Sequence, residues 1–339
     1  MSGETKMNRD SGGAGEPEGG KLHLNRTRIV NLLLRNLMAL VVIAVAVYFS
    51  IARPQFATLP NMRTILIAAA PFALIALGQT LVILTGGIDL SVGSIVALSA
   101  MTGAAIVVGH PERMLLASAV AILAGLLAGL ISGLVVAYVN VPPFVTTLGM
   151  LSIASGLAYA IGNGAPINGL PLEWGQIANT RVLTLQAPVL VMIAGFLILG
   201  IVMARTSFGM RIYAVGGNRT AAEVAGVKSR RILTSVYAIS GALAGMSGLI
   251  LSSRVISAAP YLGKGYELGA IAAVVIGGAS LQGGRGTVWG TLLGLLLIQT
   301  LNNGLDILVV PAYWQTVISG LLIVSAVAVD MVASKRSYQ

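Results

Sequence analysis

The segment from Gly86 to Ser94 places one acidic residue, Asp89, between two long apolar stretches of the chain. Gly86 and Gly87 break the preceding helix, and Asp89 or Ser91 can cap the helix that follows. One interpretation is therefore a cap at a tight turn. The other is a functional break in or near a membrane, where an ionisable residue commonly marks a transport path. The depth of Asp89 decides between the two, and the sequence does not give it.

Further polar side chains lie in or near apolar stretches, where they line a polar path or hold helices together through hydrogen bonds; the second role is the more common. They are Gln79, Gln299, Asn302, Asn303 and Asp306. Pro142 and Pro143 cannot continue a helix but can start one, and Phe144 follows them. The candidate gating or translocation residues are Gly86, Gly87, Asp89, Ser91, Gln79, Phe144 and Asn302.

The segment 205–231 is the longest predicted connection on its side of the membrane, and it carries Thr220 and Glu223 at the spacing of a capping box. In that motif the hydroxyl accepts from a backbone N–H and the glutamate reaches back to the start of the helix. Gly226 can end the helix in a left-handed conformation. The pattern predicts a helix of about one to two turns from Thr220 to Ala225. Its small residues suit docking into a partner's groove, and a solvated connecting helix is the alternative.

Residue counts exclude several kinds of chemistry. The chain has no cysteine and two histidines, His23 and His110, which rules out thiol catalysis, thiolate metal sites and multi-histidine sites. The run Gly245–Gly248 matches the serine motif of rhomboid proteases, but neither histidine lies in a later helix to take the serine proton. Gly15–Lys21 matches most of a phosphate loop, but Leu22 stands where Ser or Thr should coordinate magnesium. We expect the chain by itself to be no enzyme and to bind no cofactor or metal.

The composition indicates an all-α polytopic membrane protein. Of 339 residues, 56% are hydrophobic and 9% are charged, whereas a soluble domain carries about 25% charged residues. The apolar content excludes a disordered chain, and the low aromatic fraction fits an outer-membrane barrel poorly. At roughly 20 residues a span, hydropathy predicts about ten transmembrane helices. Their ranges are 30–50, 64–84, 92–109, 114–138, 144–161, 187–204, 232–252, 267–282, 288–305 and 314–333.

The distribution of lysine and arginine predicts the orientation. Fifteen of the 21 lie in the N-terminal region, in segment 205–231, at Arg285 and at the C-terminus. The positive-inside rule then places both termini and segment 205–231 in the cytoplasm, and it explains the net charge of +10 without nucleic acid. We divide the chain into a disordered cytoplasmic tail at 1–28, a transmembrane domain at 29–333 and a cytoplasmic C-terminus at 334–339.

Glycine spacing predicts close helix packing, since small residues four apart let two backbones approach each other. The sets are Gly125, Gly129 and Gly133, then Gly241 and Gly245, then Gly290 and Gly294. The break at Gly86–Gly87 also aligns with Gly277–Gly278, which sets Ser280 opposite Asp89. We interpret this as an internal repeat of broken helices, as many transporters have.

Four blocks of the sequence resemble the signature segments of ribose-type, monosaccharide ABC transporter permeases, in the order of that family and over roughly residues 30–332. The blocks are 78–94, 140–149, 214–227 and 273–286. The resemblance implies an importer subunit of the bacterial inner membrane. It implies a second permease chain, as a homodimer, two ATPase domains that hold ATP and magnesium, and a periplasmic sugar-binding protein.

Within this resemblance, positions 214–227 correspond to the cytoplasmic coupling helix that meets the ATPase. The candidate coupling residues are Gly217, Asn218, Thr220, Glu223, Ala225 and Gly226. Two alternatives stay open: an ion-coupled secondary transporter that uses Asp89 and Asp306, and an ABC permease for autoinducer-2 or an amino acid. The sugar itself is not readable, because specificity would lie largely in the binding protein.

Overall fold

The computed structural model describes residues 37–182 and 184–336, and regular structure in that part of the chain is almost entirely helical. The predicted tail at 1–28 and the partial phosphate loop lie outside the described residues. We number the helices α1 (Leu37–Ala52), α2 (Leu59–Leu84), α3 (Val92–Val107), α4 (Met114–Leu134), α5 (Pro143–Ile161), α6 (Leu172–Asn179), α7 (Ala187–Arg205), α8 (Ser207–Gly217), α9 (Arg219–Val224), α10 (Ser229–Val255), α11 (Tyr266–Ile276), α12 (Val288–Ile307) and α13 (Ala312–Arg336).

Short elements join some of these helices. Turns of 3₁₀ helix cover Pro54–Ala57 and Pro111–Arg113, and a π-helical turn covers Val135–Val139 at the end of α4. Two short strands, β1 (Arg181–Val182) and β2 (Leu185–Gln186), pair antiparallel between α6 and α7. The hydropathy pattern predicted neither this hairpin nor α6.

Five of the described helices are long and apolar enough to cross a membrane: α2, α4 with its flanking turns, α5, α7 and α10. Several shorter apolar helices accompany them, among them α3 and α11. The prediction of an all-α polytopic membrane protein is therefore confirmed in its class. The count of ten crossings and the orientation of the termini stay predictions.

One predicted boundary is wrong, and one helix, α8, was not predicted. The predicted span 267–282 is helical only to Ile276, because Gly278 adopts a φ of +89° and ends α11. The predicted connection 205–231 is largely helical and contains α8 and α9. Helix α8 escaped the hydropathy pattern because it is amphipathic and short: Ile212 and Val215 are buried, while its other side is exposed.

The packing of α4 against α10 confirms the glycine pattern. A Cβ placed on Gly241 would lie 2.9 Å from the Gly129 Cα and still closer to the Gly125 carbonyl oxygen. The backbones of the two helices are therefore in direct contact. Helix α12 packs on α11 in the same way, with Gly294 against the Ala273 carbonyl oxygen.

Helices α2 and α11 end in the same way, with a left-handed glycine after the last turn: Gly86 (φ +80°) and Gly278 (φ +89°). The Gly86 N–H donates to the Ile83 carbonyl oxygen at 2.9 Å, and the Gly278 N–H donates to the Val275 carbonyl oxygen at 2.8 Å. This likeness pairs Gly86 with Gly278, one residue away from the sequence alignment. Helix α9 ends with the same stop at Gly226, so the internal repeat stays a prediction.

The contact between α4 and α10 gives the first prediction. Gly241→Ala should destabilise the protein by about 1–3 kcal/mol, because its methyl group has no space between the two backbones. The matched control is Gly149→Ala on α5, where a Cβ meets nothing within 4 Å. Thermal unfolding in detergent should show a lowered midpoint for Gly241→Ala alone. Equal midpoints for the two variants would contradict this account of the packing.

Candidate functional site

The segment between α2 and α3 is unwound and runs through the interior of the helical bundle. Asp89, at its centre, is fully buried. Its Oδ1 accepts from the Ser91 backbone N–H at 2.9 Å and from the Ser91 hydroxyl at 2.5 Å. Its Oδ2 accepts from the Ser240 hydroxyl of α10 at 3.2 Å. The carboxylate therefore ties the start of α3 to α10.

Two more side chains satisfy the backbone of this unwound segment. The Gln79 amide, in the orientation that suits both of its partners, donates to the Asp89 carbonyl oxygen at 3.1 Å and accepts from the Asp89 N–H at 3.2 Å. The Thr147 hydroxyl of α5 donates to the Ile88 carbonyl oxygen at 3.1 Å. A broken helix inside an apolar bundle needs such partners, because an unpaired backbone group costs several kcal/mol in lipid.

These contacts show where Asp89 lies within the helical bundle. Its partner Ser240 lies near the middle of the 27-residue helix α10, so Asp89 is level with the interior of that helix and not with its end. Ser91 occupies the N-cap position of α3, but no side chain caps that helix. The predicted side-chain cap of α3 is therefore not formed, although Asp89 Oδ1 closes the tight turn through the Ser91 N–H. The segment is a buried helix break, and its role in transport stays a prediction.

The structure brings together only part of the predicted translocation set. Gln79, Gly86, Gly87, Asp89 and Ser91 belong to this break.

The other two members of the set lie elsewhere. Phe144 is 54% exposed in the first turn of α5. Asn302 borders a separate cavity of about 390 Å³ beside α12, together with Arg254, Tyr266 and Gln299.

The helix α9 starts differently from the prediction. Asn218 is the N-cap, and its Oδ1 accepts from the Ala221 N–H at 2.9 Å. Glu223 pairs with Arg219 at 3.1 Å instead of reaching back to Thr220. The predicted capping box is wrong because the N-cap is Asn218, two residues before Thr220. Thr220 then lies inside the first turn, where its hydroxyl has no capping role.

The end of α9 matches the prediction, and two apolar residues close to it are exposed to solvent. Gly226 has a φ of +83°, and the Val227 N–H donates to the Ala222 carbonyl oxygen at 2.9 Å to close the helix. Ala222 is buried beneath α9, so it does not belong to the docking face. Val224 is 86% exposed and stands beside the exposed Ala225. A small apolar patch therefore faces outward.

A junction of glycines, which we call the glycine junction (Gly86, Gly216, Gly217, Gly283 and Gly284), joins α8 to the two helix breaks. A Cβ on Gly216 would press on the Leu84 carbonyl oxygen and lie 2.7 Å from the Gly284 nitrogen. The Gly284 N–H donates to the Leu84 carbonyl oxygen at 3.0 Å. A Cβ on Gly283 would lie 2.8 Å from the Gly86 nitrogen. Three segments thus touch through backbone atoms.

Arg219 borders two cavities, and the smaller one reaches Gly86 of the junction. The smaller, of about 220 Å³, lies between Gly87 and Asn140. The larger is an open groove of about 650 Å³ beside α9. Four basic side chains line the groove, Arg219, Lys228, Arg230 and Arg231, together with Glu223, which pairs with Arg219.

Three features of this region were not predicted. Ser240 belongs to no motif, and only its contact with Asp89 reveals it. The glycine junction had a visible signal, since paired glycines stand at Gly216–Gly217 and Gly283–Gly284. The Tyr237 ring lies over Gly87, where a Cβ would come within 2.5 Å of its hydroxyl. No local pattern pointed to this contact.

Comparison with known proteins identifies relatives over most of the chain. A family model described as "Branched-chain amino acid transport system / permease component" matches residues 61–327. The ribose import permease protein of Bacillus subtilis (strain 168) is 44% identical over 287 residues, which cover 83% of this chain and 88% of the relative. No solved structure matches the chain.

Two further relatives carry the names of other sugars. The D-allose transport system permease protein of Escherichia coli (strain K12) is 36% identical over 293 residues, 86% of this chain and 90% of the relative. The galactose/methyl galactoside import permease protein of Haemophilus influenzae (strain ATCC 51907 / DSM 11121 / KW20 / Rd) is 35% identical over 325 residues. Those residues cover 91% of this chain and 97% of the relative.

The contacts of Asp89 give a second prediction. Asp89→Asn keeps an acceptor for Ser91 and should unfold close to the wild-type temperature. Asp89→Ala leaves the Ser91 N–H and the Ser240 hydroxyl without their partner, at about 1–3 kcal/mol for each group. The control is Asp306→Ala, an exposed aspartate whose loss should change stability by no more than about 0.5 kcal/mol. Wild-type thermal stability of Asp89→Ala would show that the carboxylate does not hold the break.

Proposed function

The chain belongs to the family of branched-chain amino acid transport system permease components, and from this we propose that it forms the translocation path of an ATP-driven importer for a monosaccharide. The chain is a multi-pass protein of the inner membrane. One observation carries the proposal: the glycine junction connects an exposed surface helix, α9, to a buried helix break at Asp89. An importer driven from outside its membrane domain needs such a connection.

The names of the relatives support a sugar as the cargo. Permeases named for ribose, D-allose and galactose or methyl galactoside share 35–44% identity with most of this chain. The description of the family model names branched-chain amino acids, so an amino acid is the second candidate. We favour the sugar because the relatives named for sugars extend over nearly their whole length.

The ATPase would be a separate subunit that docks on α9. The coupling surface comprises Gly217, Asn218, Thr220, Glu223, Ala225 and Gly226, to which the structure adds Val224 as the most exposed apolar side chain of α9. Such a side chain is suited to a partner's pocket, because burying it gains about 1.5–3 kcal/mol. The groove with Lys228, Arg230 and Arg231 would receive acidic groups of the same partner.

The assembly follows the same reasoning. We propose about ten crossings with both termini, α8 and α9 in the cytoplasm, as the lysine and arginine distribution favours. A second copy of the chain would complete the path, and a periplasmic sugar-binding protein would deliver the cargo. ATP and magnesium would be held by the ATPase. The break with Gln79, Gly86, Gly87, Asp89 and Ser91 would gate the path, since α3 and α10 meet there.

The cargo is tested by uptake. Cells that lack their own monosaccharide importers would express the chain together with the ATPase and binding protein of its source. We expect accumulation of at least one of ribose, allose and galactose, dependent on the chain, and no accumulation of leucine. Leucine uptake without sugar uptake would overturn the choice of cargo in favour of an amino acid.

The coupling surface is tested by two substitutions on α9. Val224→Asp puts a charge into the apolar contact, and Ala225→Arg overpacks it. Both should reduce ATPase co-purification and sugar-stimulated ATP hydrolysis in liposomes at least tenfold, with normal membrane insertion.

The matched control is Leu172→Asp on α6, a side chain that is 77% exposed. Helix α6 contacts α10 near Ser253, at the opposite end of α10 from α9. This variant should keep wild-type co-purification. If Val224→Asp and Ala225→Arg also keep it, α9 is not the coupling element.

A further inference from the structure

A small cavity lies between α3, α5 and the connection from α10 to α11, outside the break at Asp89. Its volume is about 200 Å³, which equals roughly seven water molecules at about 30 Å³ each. This space is on the scale of one small sugar ring. A peptide does not fit.

The side chains around this cavity carry hydroxyl groups, aromatic rings and one charge of each sign. Ser94 and Ser155 contribute hydroxyls, and Tyr159 and Tyr261 contribute hydroxyls and rings. Lys264 and Glu267 complete the polar lining. Hydroxyl side chains both donate and accept, so they match the hydroxyls of a sugar. The tyrosine rings offer flat apolar faces to the C–H side of a sugar ring.

The first turns of α3 and α11 pack against each other on one side of the cavity. A Cβ on Gly93, in the first turn of α3, would lie 2.6 Å from the Gly263 carbonyl oxygen and in contact with the Glu267 carboxylate. Glu267 lies in the first turn of α11 and accepts from the Gly265 N–H at 3.1 Å. Its negative charge therefore stands at the positive ends of both helices. Lys264 lies close enough to interact electrostatically with this carboxylate. The two opposite charges offset each other, and the rest of the lining suits a neutral solute.

We propose that this cavity is a binding site for a monosaccharide on its way through the permease. The proposal rests on the proposed function and adds the residues that hold the cargo: Ser94, Ser155, Tyr159, Tyr261, Lys264 and Glu267. Four hydroxyl side chains around one small space favour a polyhydroxylated solute. A zwitterionic amino acid would instead use Lys264 and Glu267 as its principal partners, and it is the competing outcome.

The test uses the full chain in nanodiscs without the binding protein. Saturation-transfer NMR would report the binding of D-ribose, D-galactose and L-leucine. We expect a signal for at least one of the two sugars and none for leucine. Ser155→Leu should reduce the sugar signal at least fivefold, because the larger side chain fills the cavity. The matched control is Ser152→Leu, an exposed serine on α5 outside the cavity, which should keep the signal.

A second pair of variants keeps the test informative if Ser155→Leu does not fold. Tyr261 is 59% exposed, so Tyr261→Ala should fold; it should weaken sugar binding, whereas Tyr261→Phe keeps the ring and most of the binding. No sugar signal with the wild type, an unchanged signal in Ser155→Leu and Tyr261→Ala, or a signal for leucine alone would each overturn the proposal. If any of these results is found while cells still take up sugar, the proposed function stands and only this binding site is refuted. If the cells take up no sugar at all, the proposed function itself is refuted.

Discussion

A carboxylate that leaves water for the interior of a helical bundle must find hydrogen-bond donors, and Asp89 finds them on two sides. Ser91 supplies two donors at the start of α3, and Ser240 supplies a third from the middle of α10. Gln79 occupies both backbone groups of the same residue. These hydrogen bonds offset the cost of burying the carboxyl group. They form only if the start of α3 and the middle of α10 remain beside Asp89. The path of the chain from α2 into α3 therefore depends on Asp89.

Glycine provides the second constraint, since it lets backbone segments meet without side chains between them. Helices α4 and α10 touch along Gly129 and Gly241, which makes them one unit. The glycine junction does the same for α8 and the two helix breaks. The break at Asp89 is thus enclosed by α10 on one side and linked to α9 through α8 on the other. The coupling that we propose between α9 and the translocation path would act through this connection.

Local chemistry predicted several of the helix boundaries that glycine and proline determine, although the stop at Gly278 was missed. Gly86 and Gly226 end their helices with positive φ, and α5 begins at Pro143, as the sequence indicated. Asn218 rather than Thr220 caps α9 for a local reason: both residue types can cap a helix, and Asn ranks above Thr at that position. Ser240 was missed for a different reason, because its partner is distant in the sequence. The carboxylate of Asp89 meets a serine 151 residues away in the chain, and a local pattern carries no trace of such a pairing.

The glycine junction also has a mechanical consequence. In an ordinary interface, side chains lie between the two backbones. They can change rotamer when one backbone moves, so the other backbone need not move with it. Gly216 and Gly283 have no rotamers to change, and their atoms are already in contact with the neighbouring backbone. A displacement of α8 would therefore press directly on the backbone at the end of α2, with no rotamer change between them to absorb it. The junction is a stiff mechanical contact between the surface and the interior of the bundle.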